Sequence, residues 1–326
     1  LSVPAAMLMN RLGRKKMVQL SNIITIVGML LPFISYNLAT CLLAFVFLGI
    51  GNTMLQVSLN PLLTNVVKGD ALTSSLTAGQ VVKAVSSICG PFIAAFAAGT
   101  LGNWKYLFPI FALVTLISAV WLMATHIEEQ KSENNAASVG SVFGLLKDKT
   151  ILFLFLGIFF IVGVDVGVNT LSPKLLMERA GWAVENAGLA ASVYFFCKTA
   201  GAFIGAFALA KVNAVKYFRW NIGIAVLALL LLFFADGAVP MMTLIGVVGL
   251  FCASVFSIVY AGAMQARPDK ANEISGLMIT GVSGGAVIPP LMGAMTDMMG
   301  SQVGSIVIIG ICMLYLLWCS FRLSEA

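Results

Sequence analysis

Ten long apolar segments separated by short breaks leave this 326-residue chain few ways to fold. They lie near 17–37, 39–66, 72–98, 105–125, 150–175, 187–211, 217–236, 239–265, 273–298 and 302–321. A helix rises about 1.5 Å per residue, so about 20 apolar residues cross a hydrocarbon core of about 30 Å. In lipid only a helix or a closed barrel satisfies its own backbone groups, and segments of this length read as helices. Those above about 25 residues imply tilt or extension beyond the lipid rather than extra crossings. Composition excludes a soluble alternative: 60% of residues are hydrophobic, 10% are charged, and mean hydropathy is +1.00. A soluble chain carries about 25% charged residues to wet its surface. The expected class is an all-α membrane protein whose first partner is the lipid bilayer.

Two stretches depart from the alternation. Residues 1–9, from Leu1 to Met9, form an apolar run too short to cross. The run lacks the charged n-region and cleavage site of a signal peptide, so it is expected to be the tail of a helix whose beginning is missing. Residues 126–149 are polar, with Glu128, Glu129, Lys131, Glu133, Lys147, Asp148 and Lys149. The expected organisation is therefore an incomplete N-terminal transmembrane bundle over 1–125, a linker over 126–149, and a six-helix C-terminal bundle over 150–326.

Basic residues orient the helices. Fourteen of the nineteen, among them Arg11, Arg14, Lys15, Lys16, Lys68, Lys131, Lys147, Lys149, Lys211, Lys216, Arg219, Arg267, Lys270 and Arg322, fall on the side of the linker. Lys105, Lys174 and Arg179 fall on the other side. Positive loops stay in the cytoplasm, so the linker is expected to be cytoplasmic and the chain to sit in the cell membrane. Trp104, Trp182 and Trp220 stand at segment ends, where interfacial anchors occur.

Several function classes drop out. The cysteines, Cys41, Cys89, Cys197, Cys252, Cys312 and Cys319, lie in or beside apolar segments with no CxxC spacing, and the single histidine, His126, is in the linker. No disulfide framework, metal site or other cofactor is supported, and no Ser/His/Asp constellation is possible within the membrane. The net charge of +6 reflects the loops, and no nucleic-acid partner is expected.

Function then falls to polar residues inside the apolar segments. Lys83, Asp165 and Lys198 lie near segment centres, where an ionisable group costs roughly 2.5–3.5 kcal/mol on insertion scales and normally faces a bundle interior or water-filled cavity. Asp165 and Asn169 are four apart and share a helix face, as do Gln56 and Asn60; Gln80 and Lys83 are three apart. These stripes suit the hydroxyls of a polar solute. The amides also suit interhelical hydrogen bonding, and Asp165 with Lys198 a structural ion pair. Asp165 is favoured as the proton carrier, because a carboxyl held away from water binds a proton more readily. Pro61, Pro91 and Pro289-Pro290 mark expected bends. Gly201 and Gly205 fit close helix contact.

Residues 4–15, Pro-Ala-Ala-Met-Leu-Met-Asn-Arg-Leu-Gly-Arg-Lys, resemble the helix 2–3 signature loop of the major facilitator superfamily, G-x-L-x-D-R-x-G-R-K. Arg11, Gly13, Arg14 and Lys15 match; Ala6 and Asn10 replace the Gly and Asp. The resemblance implies a major facilitator fold: two six-helix bundles, here with helix 1 and most of helix 2 missing, around a cavity with alternating access. It also implies a cytoplasmic gate at Asn10, Arg11, Gly13 and Arg14, with its usual acid replaced by Asn10. Within that superfamily the chain resembles the fucose–galactose–glucose:proton symporters. Gly284-Gly285-Ala286-Val287-Ile288-Pro289-Pro290-Leu291-Met292-Gly293 with Asp297 is similar to the family's helix 11. Leu55-Gln56-Val57-Ser58-Leu59-Asn60-Pro61 is similar to its helix-4 stretch, and Gln80 to a helix-5 Gln. Val162-Gly163-Val164-Asp165 is similar to its helix-7 segment. The family's helix-4 acid is Gln56 here, and its helix-8 Arg is Ala202, with Lys198 one turn earlier.

The resemblance implies a monomeric secondary transporter, not an enzyme, taking up a sugar, a hexose or deoxyhexose, with a proton. Gln56, Asn60, Gln80, Lys83 and Asn169 would bind the solute, and Asp165 and Lys198 would couple the proton. A facilitator or exporter of another polar solute on the same fold is the alternative, and a receptor or scaffold the one from a different class.

Overall fold

The computed structural model of the protein describes residues 1–67, 70–127, 139–183 and 187–323. Its helices, in chain order, are α1 (Ser2–Leu12), α2 (Arg14–Ile34), α3 (Leu38–Val66), α4 (Asp70–Thr100), α5 (Leu107–Ala124), α6 (Val139–Gly144) and α7 (Lys149–Ala180). They continue with α8 (Leu189–Ala208), α9 (Ala214–Phe234), α10 (Ala238–Cys252), α11 (Val255–Ala266), α12 (Ala271–Gly281), α13 (Gly284–Met299) and α14 (Val303–Arg322). Nine helical stretches among the described residues are long and apolar enough to cross a membrane. The remaining segment expected from the sequence is α4. Most of the acidic part of the 126–149 linker, residues 128–138, lies outside the described residues.

Two of the expected segments are each divided. The 239–265 segment turns at Ala253–Ser254 between α10 and α11, and the 273–298 segment turns at Val282–Ser283 between α12 and α13. Both breaks lie beside unusually close helix contacts. A Cβ on Gly201 of α8 would sit 2.0 Å from the Leu250 carbonyl oxygen, and one on Gly284 would sit 1.9 Å from that of Phe159. Backbone meets backbone there, which only small residues permit.

Polar caps start several of these helices. Asn37 and Thr40 form a reciprocal capping box at α3, Asp148 accepts from the Thr150 N–H at α7, and Asn213 caps α9 through Val215 and Lys216. Such side chains satisfy N–H groups that have no partner inside the helix. Gly181, with φ +66°, closes α7 in the left-handed conformation that glycine adopts without penalty.

The chain divides into two compact units. The first holds Leu1–Lys68, Lys83–Leu145 and Arg267–Thr280. In it α2 lies between α3 and α5, and α1 packs on α3. Lys15 donates to the Thr125 carbonyl (2.7 Å) and Gln19 to that of Ala119 (2.9 Å), tying α2 to the last turns of α5. The second unit holds Gly69–Val82, Leu146–Ala266 and Gly281–Ala326. Its hub is α7, in contact with α8, α10, α11, α13 and α14. Ile151, Leu154, Ile158, Ile161, Leu171 and Leu175 on that helix are buried. Gly163 and Gly167 admit Ile288 and Met292 of α13 against its backbone.

Candidate functional site

Asp165 stands at the middle of α7 and Lys198 at the middle of α8, and the two form an ion pair. Each side chain keeps about a quarter of its surface accessible, 21% for Asp165 and 27% for Lys198, so the pair is not sealed in the packing. The second carboxylate oxygen accepts a hydrogen bond of 2.6 Å from the Tyr194 phenol. Tyr194 is fully buried and lies one turn before Lys198 on α8, so one helix face supplies both donors. Each oxygen of Asp165 thus holds one donor and keeps a further lone pair for a proton or a solute hydroxyl.

Tyr194 had no place among the expected site residues. The signal that could have found it is its spacing of four from Lys198. A tyrosine at such a position is indistinguishable by sequence from any other aromatic residue in an apolar helix.

A second polar cluster lies in the first unit and surrounds the loop singled out above. That loop is shorter than expected: α1 runs through Asn10 and Arg11 to Leu12, Arg14 starts α2, and Gly13 alone makes the turn. Its φ of +89° and ψ of 160° explain the glycine. Asn10 donates through Nδ2 to Glu273 Oε1 (3.0 Å) and accepts from Asn272 Nδ2. Arg14 donates through Nε to Asn272 Oδ1 (2.8 Å) and through Nη1 to the Pro61 carbonyl (2.9 Å) and to Asn65. Ser2 and Thr280 share a 2.7 Å hydroxyl contact, and the Ser275 hydroxyl donates to the Val57 carbonyl at 2.6 Å. Residues from the two ends of the chain thus meet around α12. The loop carries no acid, yet the cluster has one: Glu273 supplies it from α12. Arg11 is exposed.

The other expected residues are distributed between the units. Gln56, Asn60 and Lys83 belong to the first, and Gln80 and Asn169 to the second. Gln56 donates to Asn52, one turn away on its own helix, at 3.1 Å. Asn60, Gln80 and Asn169 are half-buried and Lys83 is exposed. Among the described residues no group of three histidine, cysteine or acidic side chains is placed to hold a metal ion.

Residues 1–288 match the family model of the Major Facilitator Superfamily. The chain is 24% identical over 334 aligned residues to a glucose/galactose transporter of Brucella abortus, a match covering 97% of this chain and 80% of that one. It is 22% identical to a putative glucose/galactose transporter of Helicobacter pylori, covering 78% of this chain and 66% of that one. The crystal structure of the Escherichia coli fucose:proton symporter has the same fold, with a TM-score of 0.88 at 16% identity, covering 100% of this chain and 87% of that one.

Proposed function

The chain belongs to the Major Facilitator Superfamily, and from that premise we propose that it carries a hexose or deoxyhexose across the cell membrane together with a proton. The observation that carries this reading is the Asp165–Lys198 pair, with its buried Tyr194, at the centres of two adjacent spanning helices. A charged group placed there is costly and is retained where ions or solutes move. The chain's likeness to a glucose/galactose transporter and to a fucose:proton symporter favours a sugar and a proton as the cargo.

In this reading Asp165 takes the proton when Lys198 withdraws and returns it when the pair re-forms. Gln56, Asn60, Gln80, Lys83 and Asn169 hydrogen-bond the solute's hydroxyls as the two bundles alternate. The division into an N-terminal bundle, the 126–149 linker and a C-terminal bundle, with the linker in the cytoplasm, accords with the charge bias of the loops. The network of Asn10, Arg14, Asn272 and Glu273 would close the cytoplasmic side. Each inward proton contributes about 2.3 kcal/mol per 100 mV of membrane potential.

The test is uptake of labelled galactose, glucose and fucose by the reconstituted protein under an imposed proton gradient. Accumulation should collapse with a protonophore and in Asp165→Asn, while exchange of labelled for unlabelled sugar persists in that variant. Uphill uptake by Asp165→Asn would remove the coupling role, and the absence of flux for all three sugars would remove the substrate class.

A further inference from the structure

Two groups of unequal freedom grip Asp165. We infer that Tyr194 is a positioning residue holding one carboxylate oxygen in place throughout the cycle, and that Lys198 is the partner that leaves. The inference rests on the coupling role proposed for Asp165 and adds to it which oxygen changes partners.

Tyr194 is boxed in. It is wholly inaccessible to solvent, and the backbone of α10 lies directly against it. A Cβ on Gly249 would come within 2.7 Å of the Tyr194 carbonyl oxygen and 2.9 Å of its ring carbon Cδ2. The absence of a side chain at Gly249 is what lets the ring reach Asp165, and the same contact leaves the ring little room to swing. A phenol moved off Asp165 would strand its own buried hydroxyl away from water. Lys198 is built the other way. Its ammonium rides on a flexible four-carbon stem with three rotatable donors, and 27% of the side chain is accessible. Water can replace its bond to Asp165 as it moves.

The chemistry around the carboxylate is sparse. Among the described residues, the titratable groups beside it are Tyr194 and Lys198 of α8 and Cys252 of α10, which lies close enough to feel both charges of the pair. From α13, Gly285 and Ile288 meet this part of α7; Ile309 of α14 packs at Gly167 and Val259 of α11 at Gly157, and none of these carries a charge. The entering proton, supplied by the aqueous phase, therefore binds the oxygen that Lys198 vacates. The phenol keeps donating to the other oxygen, which is the carbonyl oxygen of the neutral acid. On release the proton returns to water and the ammonium closes the pair. Tyr194 thus keeps the carboxyl from rotating between the two states, and the half-cycle starts each time from the same geometry.

Tyr194→Phe removes the hydroxyl and keeps the ring, and thermal unfolding of the purified protein checks that the packing survives. Proton-driven accumulation of labelled galactose should fall about tenfold, the loss expected from one hydrogen bond to a charged group. Galactose exchange and its half-saturating concentration should stay within about twofold. The infrared carboxylate stretch that Asp165→Asn deletes should shift in Tyr194→Phe. Wild-type accumulation by Tyr194→Phe would overturn the positioning role, and an unshifted band would overturn the contact itself. If Asp165→Asn still accumulates sugar, the coupling proposal fails on its own evidence. If galactose is not carried, the band decides alone, since it needs no solute.

Discussion

The hydroxyl of Ser275 donates to the carbonyl of Val57 at 2.6 Å, and that carbonyl is the one that Pro61 leaves without a donor. Proline has no N–H, so the residue four positions before it in a helix loses its partner. α3 nevertheless runs unbroken from Leu38 to Val66. The missing bond is supplied by a residue 218 positions away, in α12.

Ser275→Ala should therefore destabilise the protein by about 1 kcal/mol, the cost of a buried acceptor left unmade. Pro61→Ala in the same chain restores the helical N–H and should recover most of that loss. Thermal unfolding in detergent compares the two variants. A double variant no more stable than Ser275→Ala would show that the carbonyl found another donor.

Asn10 and Glu273 yield a prediction of charge. Their side chains are 3.0 Å apart, with the amide as donor. Asn10→Asp replaces that donor by a second carboxylate, and like charges in contact repel. At neutral pH the variant should lose about 1 kcal/mol. Glu273→Gln added to Asn10→Asp should restore stability at neutral pH by reversing the polarity of the bond. Unfolding temperatures of the two variants and the parent at neutral pH measure this, and a deficit that Glu273→Gln does not relieve would rule out the repulsion.

Close backbone approach makes Gly284 intolerant. A Cβ there would lie 1.9 Å from the Phe159 carbonyl oxygen, and backbone cannot yield as a side-chain end can. Gly284→Ala should cost at least about 2 kcal/mol and lower the yield of folded protein. Gly223→Ala, in α9, has open space for its methyl and should be neutral or slightly stabilising, since alanine favours helix more than glycine does. Size-exclusion profiles and unfolding temperatures distinguish them.

Much of the architecture was legible because its causes are local. The apolar segment at 150–175 is long enough to span by itself, and α7 is found at Lys149–Ala180. Asp165 and Lys198 were identifiable as special because ionised side chains at segment centres carry a cost that does not depend on their neighbours. The breaks at 253–254 and 282–283 were not legible. They lie beside Gly201 and Gly284, where carbonyls of other helices come into contact, and hydropathy does not register another helix's backbone. Pro61 was legible as a gap in the backbone bonding of α3, but not that its donor comes from α12.

The loop between α1 and α2 shows the same limit. Its glycine and arginine were recognisable, and Asn10 appeared to leave it without an acid. Glu273 brings an acid to Asn10 from 263 residues away. Spacing along a helix says which side chains share a face, as Gln80 and Lys83 do on α4, and not which side chain of another helix they meet.

By itself the sequence determined that the chain forms apolar helices of membrane length, and that Asp165 and Lys198 stand at their centres. Both follow from the match between helix rise and bilayer thickness and from the cost of charge in lipid, which are properties of a segment alone. Tertiary structure alone decided that these two residues meet, that Tyr194 takes the remaining oxygen of Asp165, and that Asn10 finds Glu273. Those partners lie on different helices, and only the packing of small residues and carbonyls between helices sets which faces come together.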